Sequence, residues 1–222
     1  MFFPIGDVNL KKGTKPILSY LFIALNVAVF LFQFSMPPAQ QNLFILHYGS
    51  IPLEILHGQD LFTLVTSIFL HGGWMHLIGN MMFLWVFADN IEATIGYLKF
   101  LVFYLGGGVV ASMTHAILSY DSTVPCVGAS GAIAACLGAY LVMFPTSKIK
   151  LFVVFIFSSF HVPAILFLGI WIAQQFFSGM GTLGAATSDT SGVAYWAHIG
   201  GFVFGVLGGF MFRGRAIELQ RA

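Results

Sequence analysis

Ser130, His198, His76 and Asn80 are the residues of this chain whose types and spacing could do chemistry. Ser130 lies in Gly128-Ala129-Ser130-Gly131-Ala132, and His198 in Ala197-His198-Ile199-Gly200-Gly201. A serine hydroxyl is a weak nucleophile until a base takes its proton, and histidine is the commonest such base. His76 and Asn80 stand four positions apart, so a helix puts them on one face. Both can donate hydrogen bonds to an oxygen that turns negative during a reaction. Together the four could attack a peptide carbonyl. Ser130 is the candidate nucleophile and His198 the candidate general base and acid. His76, Asn80 and the Ser130 backbone N–H are the candidate oxyanion contacts. Gly128 and Gly131 would let a substrate backbone come close.

Composition says where this chemistry has to work. Of 222 residues, 58% are hydrophobic and 8% are charged, against about 25% charged in soluble domains. So few charges cannot cover a soluble surface, and the chain reads as an integral membrane protein. The net charge is +1 and no basic patch exists to neutralise phosphates, so no nucleic-acid partner is expected. Cys126 and Cys136 read as small apolar residues rather than a disulfide, since both fall near or within one helical segment.

The elements that must position the four residues are six apolar segments, at about 16–34, 75–91, 97–118, 128–144, 151–177 and 194–212. Each has about the length of a bilayer-crossing helix. A transmembrane barrel is excluded, because it would show short alternating strands. The fold class is therefore all-α: one polytopic domain over 1–222, a bundle of six transmembrane helices. With the N-terminus placed inside, Lys11, Lys12, Lys15, Lys99, Lys148, Lys150, Arg213, Arg215 and Arg221 all fall on the inner side. Those are all nine basic residues, and a bias this complete sets the direction. Both termini are expected in the cytoplasm.

The apolar stretch from Ser35 to Trp74 is too long for an idle connection, and its runs are too short to cross. It predicts short helices lying in the outer leaflet, a partly embedded first loop. The Gly/Ser/Thr-rich stretch 178–193 reads as a mobile outer loop.

Spans two, four and six all run from outside to inside. His76, Ser130 and His198 each lie within the first turn or so of their spans, and so at one depth below the outer surface. Water reaches that depth through a cavity without crossing the bilayer. Gly131, Ala135 and Ala139 recur every four residues on span four, as do Ala197, Gly201, Gly205 and Gly209 on span six. Small residues at this spacing let helix backbones approach within a membrane. If the two stripes meet, Ser130 and His198 come within reach of each other. Asp121 and Asp189 fall in outer loops, so a dyad is expected rather than a triad. His71 is expected to brace the loop before span two.

The joint pattern resembles the rhomboid intramembrane serine proteases. His71-Gly72-Gly73 followed by His76-Leu77-Ile78-Gly79-Asn80 is similar to the family's second-span signature. Gly128-Ala129-Ser130-Gly131 is similar to its nucleophile motif, and Ala197-His198-Ile199-Gly200-Gly201 through Gly205 to its sixth-span motif. The resemblance implies the same roles for Ser130, His198, His76 and Asn80. It also implies a substrate class: transmembrane segments of other membrane proteins, cut near the outer end. No cofactor and no metal is implied. The six-span core and short termini look like a bacterial or archaeal member, in the inner membrane of a prokaryotic cell. Two positions depart from the family. Phe62-Thr63 stands where many members have Trp-Arg, so a bracing arginine is absent. Ala134 stands where many have an aromatic that stacks on the histidine, so His198 must be held by something else.

Other readings are weaker. A zinc protease would want His-Glu-x-x-His, and His71 to His76 lacks both the glutamate and the spacing. An aspartyl protease would want two aspartates deep in facing helices. A transporter would want an inverted repeat. A silent, helix-binding relative would usually lack Ser130 or His198.

Overall fold

The computed structural model describes residues 2–8, 10, 12–153, 155, 157–182 and 193–221. In chain order the elements are strand β1 (Phe2–Gly6), helices α1 (Ile17–Phe34), α2 (Pro38–Tyr48), α3 (Pro52–Leu56) and α4 (Thr63–Thr66), and a 3₁₀ turn at Ser67–Phe69. Helices α5 (Trp74–Ile95), α6 (Tyr97–Leu118) and α7 (Ser130–Met143) follow. Then come strands β2 (Lys148–Val153) and β3 (Ser158–Pro163), and helices α8 (Ala164–Thr182) and α9 (Tyr195–Arg221).

The protein is a mostly helical membrane bundle. Among the described residues α1, α6, α8 and α9 are long and apolar enough to cross a bilayer. Helix α7 has 14 residues, about 21 Å of rise, and almost all of it is buried. It sits among the other helices rather than against lipid, so its length is set by packing and not by bilayer thickness.

Helix α1 is pinned at both ends. Pro16 offers its first turn no capping side chain. Glu92 of α5 does so instead: its carboxylate accepts from the Leu18 N–H at 2.8 Å, the Ser19 N–H at 2.7 Å and the Ser19 hydroxyl at 2.6 Å. A carboxylate on unpaired N–H groups at a helix start is favourable in both charge and hydrogen bonding. At the other end Gln33 Nε2 donates to the His71 carbonyl at 2.8 Å. Gly96, with φ +81°, ends α5 and opens α6 in one residue, a backbone that favours glycine.

The first loop folds into short helices and is sewn to the segment before α7. Ser50 and Cys126 exchange backbone hydrogen bonds at 3.0 and 2.8 Å, and the Gly128 N–H donates to the Ser67 carbonyl at 2.9 Å. Without an arginine at position 63, the loop is braced locally. Thr63 Oγ1 donates to the Asp60 carbonyl, Thr66 Oγ1 donates to the Tyr48 carbonyl, and Phe62 packs near His47 and Tyr48.

The expected helical span over 151–177 is corrected. Helix α8 begins only at Ala164, and Lys148–Val153 and Ser158–Pro163 pair as antiparallel strands that β1 extends to a three-stranded sheet in the order β1-β2-β3. The physical reason is a change of period. Lys148-Ile149-Lys150-Leu151 alternates, with both lysines exposed and Ile149, Leu151 and Val153 buried. That is a two-residue repeat facing a core on one side. Pro163 cannot donate to a ladder and stands immediately before the helix. His161 therefore lies in a strand and not within a span. The sheet gathers where α5 and α7 end: Asp7, just after β1, accepts from the Tyr140 hydroxyl and from Asn90 Nδ2. Lys11 and most of the loop over 178–193, residues 183–192 with Asp189 among them, lie outside the described residues.

Candidate active site

Helix α7 starts at Ser130, α9 places His198 in its first turn, and α5 places His76 in its first turn. All three side chains are half-buried, and Asn80 is buried. The helix starts matter because the first N–H groups of a helix have no intrahelical acceptor. Ala129 caps α7 without a side-chain hydrogen bond.

Helices α7 and α9 meet along their small residues, in register. A Cβ on Gly201 would overlap the Gly131 carbonyl oxygen, and one on Gly205 would overlap the Ala135 carbonyl oxygen. One on Gly209 would lie 3.0 Å from the Ala139 Cα. The seam is backbone against backbone. It brings Gly131, the residue after Ser130, to 4.0 Å from the carbonyl oxygen of Ala197, the residue before His198, measured from the position a Cβ would take.

Gly128 closes the other side. Its φ is +125°, and a Cβ there would stand 2.7 Å from His76 Nε2 and 3.4 Å from Asn80 Nδ2. Only glycine leaves that space open, and two side-chain nitrogens border it. Asn80 Nδ2 also meets His71 Nε2 at 2.9 Å. His71 is fully buried, and burial, with His76 beside it, pushes its imidazole down to about 3. It is neutral and accepts one N–H of Asn80, which leaves the second N–H for the Gly128 side. His71 also ties the loop to α1 through its carbonyl.

Ser130 and His198 sit on either side of the seam, but they are not hydrogen-bonded to each other. The bond His198 does make was not foreseen. Its Nδ1 lies 2.7 Å from Gln175 Oε1 on α8, and the Trp171 ring is tilted against its own at 5.7 Å between centroids. The signal in the sequence was a glutamine inside an apolar span, where polar side chains are costly and mark function. Cys126 is free, and burial pushes its thiol up to about 11, so it is no rival nucleophile. Among the described residues no three His, Cys, Asp or Glu side chains converge as a metal would require.

Residues 58–215 match the Rhomboid domain. The chain belongs to the rhomboid family. It is 31% identical over 211 residues to the rhomboid protease GluP of Bacillus subtilis (strain 168), an alignment covering 95% of this chain and 37% of that protein. It is also 31% identical to the mitochondrial Rhomboid protein 1 of Saccharomyces cerevisiae, over 92% of this chain and 55% of that one. The human mitochondrial presenilin-associated rhomboid-like protein is 28% identical, with 89% and 48% covered. The chain thus spans between about a third and just over half the length of these relatives.

Proposed function

We propose that this rhomboid is an intramembrane serine endopeptidase that cuts transmembrane segments of other membrane proteins near the outer side of the bilayer. The observation that carries the reading is the setting of Ser130. On one side Gly128 leaves a space bordered by His76 and Asn80, and on the other Gly131 packs beside Ala197, next to His198. Ser130 Oγ attacks the peptide carbonyl while His198 Nε2 takes its proton. His76, the free N–H of Asn80 and the Ser130 N–H hold the oxyanion. The imidazolium then protonates the leaving amine. Water, activated by the same histidine, releases the acyl group and restores the serine. The dyad needs no metal or cofactor, and its partners are the substrate helices and the bilayer. In this reading both termini are cytoplasmic and the site opens toward the outer side of a prokaryotic inner membrane, a direction that the bias of the nine basic residues supports.

The test is covalent labelling of the detergent-purified chain with a fluorescent fluorophosphonate, beside Ser130→Ala and His198→Ala. Labelling is expected for the wild type and lost by at least about 1000-fold in each variant, the scale of removing a member of a catalytic pair. A folded wild type that does not label overturns the protease reading and favours a silent, helix-binding relative.

A further inference from the structure

His198 has two ring nitrogens, and the proposed dyad uses one. The other meets Gln175 Oε1 at 2.7 Å. The Gln175 amide nitrogen is turned the opposite way, 3.5 Å from the Trp171 carbonyl of its own helix. With the donor end of the amide facing a carbonyl, the end that faces His198 is the oxygen. An amide oxygen only accepts, so His198 Nδ1 carries the proton and donates it. The lone pair is then on Nε2. Gln175 is buried, at 6% exposure. A carboxylate in the same place would put an uncompensated charge among apolar helices, whereas an amide costs far less to bury.

We infer that Gln175 is a positioning residue: it fixes the tautomer and ring orientation of His198, so that Nε2 stays free to take the Ser130 proton. This rests on the Ser130–His198 reading above. Trp171 stands four residues earlier, on the same face of α8, and its ring lies against His198. The pair replaces both supports that a lone histidine would lack, a hydrogen-bond acceptor and an aromatic wall. Ala134, on α7, can provide neither. The base of the reaction is carried on α9 but aimed from α8.

The experiment uses the full chain with Gln175→Met, which keeps length without an acceptor, and Gln175→Glu, which keeps an acceptor and adds charge. Fluorophosphonate labelling rates are followed from pH 5 to 9, with thermal midpoints measured alongside. The titratable groups facing His198 from other elements are His76 on α5 and His115 on α6, and both are unchanged in every variant. Gln175→Met is expected to label about 10–100-fold more slowly with its thermal midpoint little changed, the scale of losing the group that orients a functional histidine. Gln175→Glu is expected to keep a rate within about fivefold of wild type, and to move the acid limb of its profile up by about one pH unit, because a carboxylate favours the imidazolium. A purely structural glutamine would lower the midpoint and leave the limb in place. Labelling of Gln175→Met at the wild-type rate, or an acid limb that does not move in Gln175→Glu, overturns the positioning role. A folded wild type that never labels fails the dyad itself, and is thereby told apart from a failure at Gln175 alone.

Discussion

Helices α7 and α8 both serve the site, yet they are held in opposite ways. Helix α7 is buried nearly end to end, and its contact with α9 is so close that glycine positions on each helix face carbonyl oxygens of the other. Helix α8 buries only Ala164, Leu168, Gln175 and Gly179, and Ile165, Leu166, Ile170, Phe176, Phe177 and Met180 are exposed. In a membrane that outer face meets lipid, which solvates apolar side chains as well as a protein core does. The difference separates two tasks. Ser130 and His198, the proposed nucleophile and base, are fixed in backbone position by a seam of close backbone contacts. The ring of His198 takes its hydrogen bond and its aromatic neighbour from a helix with few ties to the bundle.

Three substitutions break or sharpen this comparison. The largest effect is expected at the seam. Gly205→Val would drive a side chain into the Ala135 backbone, and a carbonyl cannot rotate away as a side chain can. It should cost about 3 kcal/mol or more, above the usual range for overpacking, and show as a large fall in thermal midpoint. An unchanged midpoint would mean that α7 and α9 do not touch there.

An intermediate effect is expected where α8 touches His198. Trp171→Ala removes the wall beside His198 and its contact with Phe202. Labelling should slow about tenfold, equal to about 1.4 kcal/mol in the barrier, while the midpoint moves less than in Gly205→Val. If stability collapses and the rate of the surviving folded fraction does not change, Trp171 belongs to the packing and not to the site.

The smallest effect is expected on the outer face of α8. Ile170 is 70% exposed. Ile170→Ala should change stability by less than about 0.5 kcal/mol, as for other positions without special contacts, and leave labelling alone. A strong effect on either would show that α8 is covered by something other than lipid.

Much of the architecture was readable in the residues. Apolar runs of bilayer length mark α1, α6 and α9 because a lipid-facing helix needs little else. The stripes Gly131-Ala135-Ala139 and Gly201-Gly205-Gly209 anticipate a close approach because only small residues permit one. The fifth segment, expected as a helix over 151–177, is helical only from Ala164. Composition counts apolar residues whatever their period, and Ile149, Leu151 and Val153 are as apolar in a strand as in a helix. The alternation of Lys148 and Lys150 with buried neighbours was the discriminating signal.

The sequence by itself determined the medium and the family, and it singled out the side chains proposed for the chemistry. Charge scarcity, motif residues and their offsets along each helix are properties of the chain alone. Tertiary structure decided which groups surround them. Asn80 gives one N–H to His71, Gly128 backs onto His76, and Gln175 meets His198 across two helices. Such contacts depend on the rotation of each helix about its own axis and on the distance between axes. Side-chain packing over the whole bundle sets both, and no local pattern encodes either.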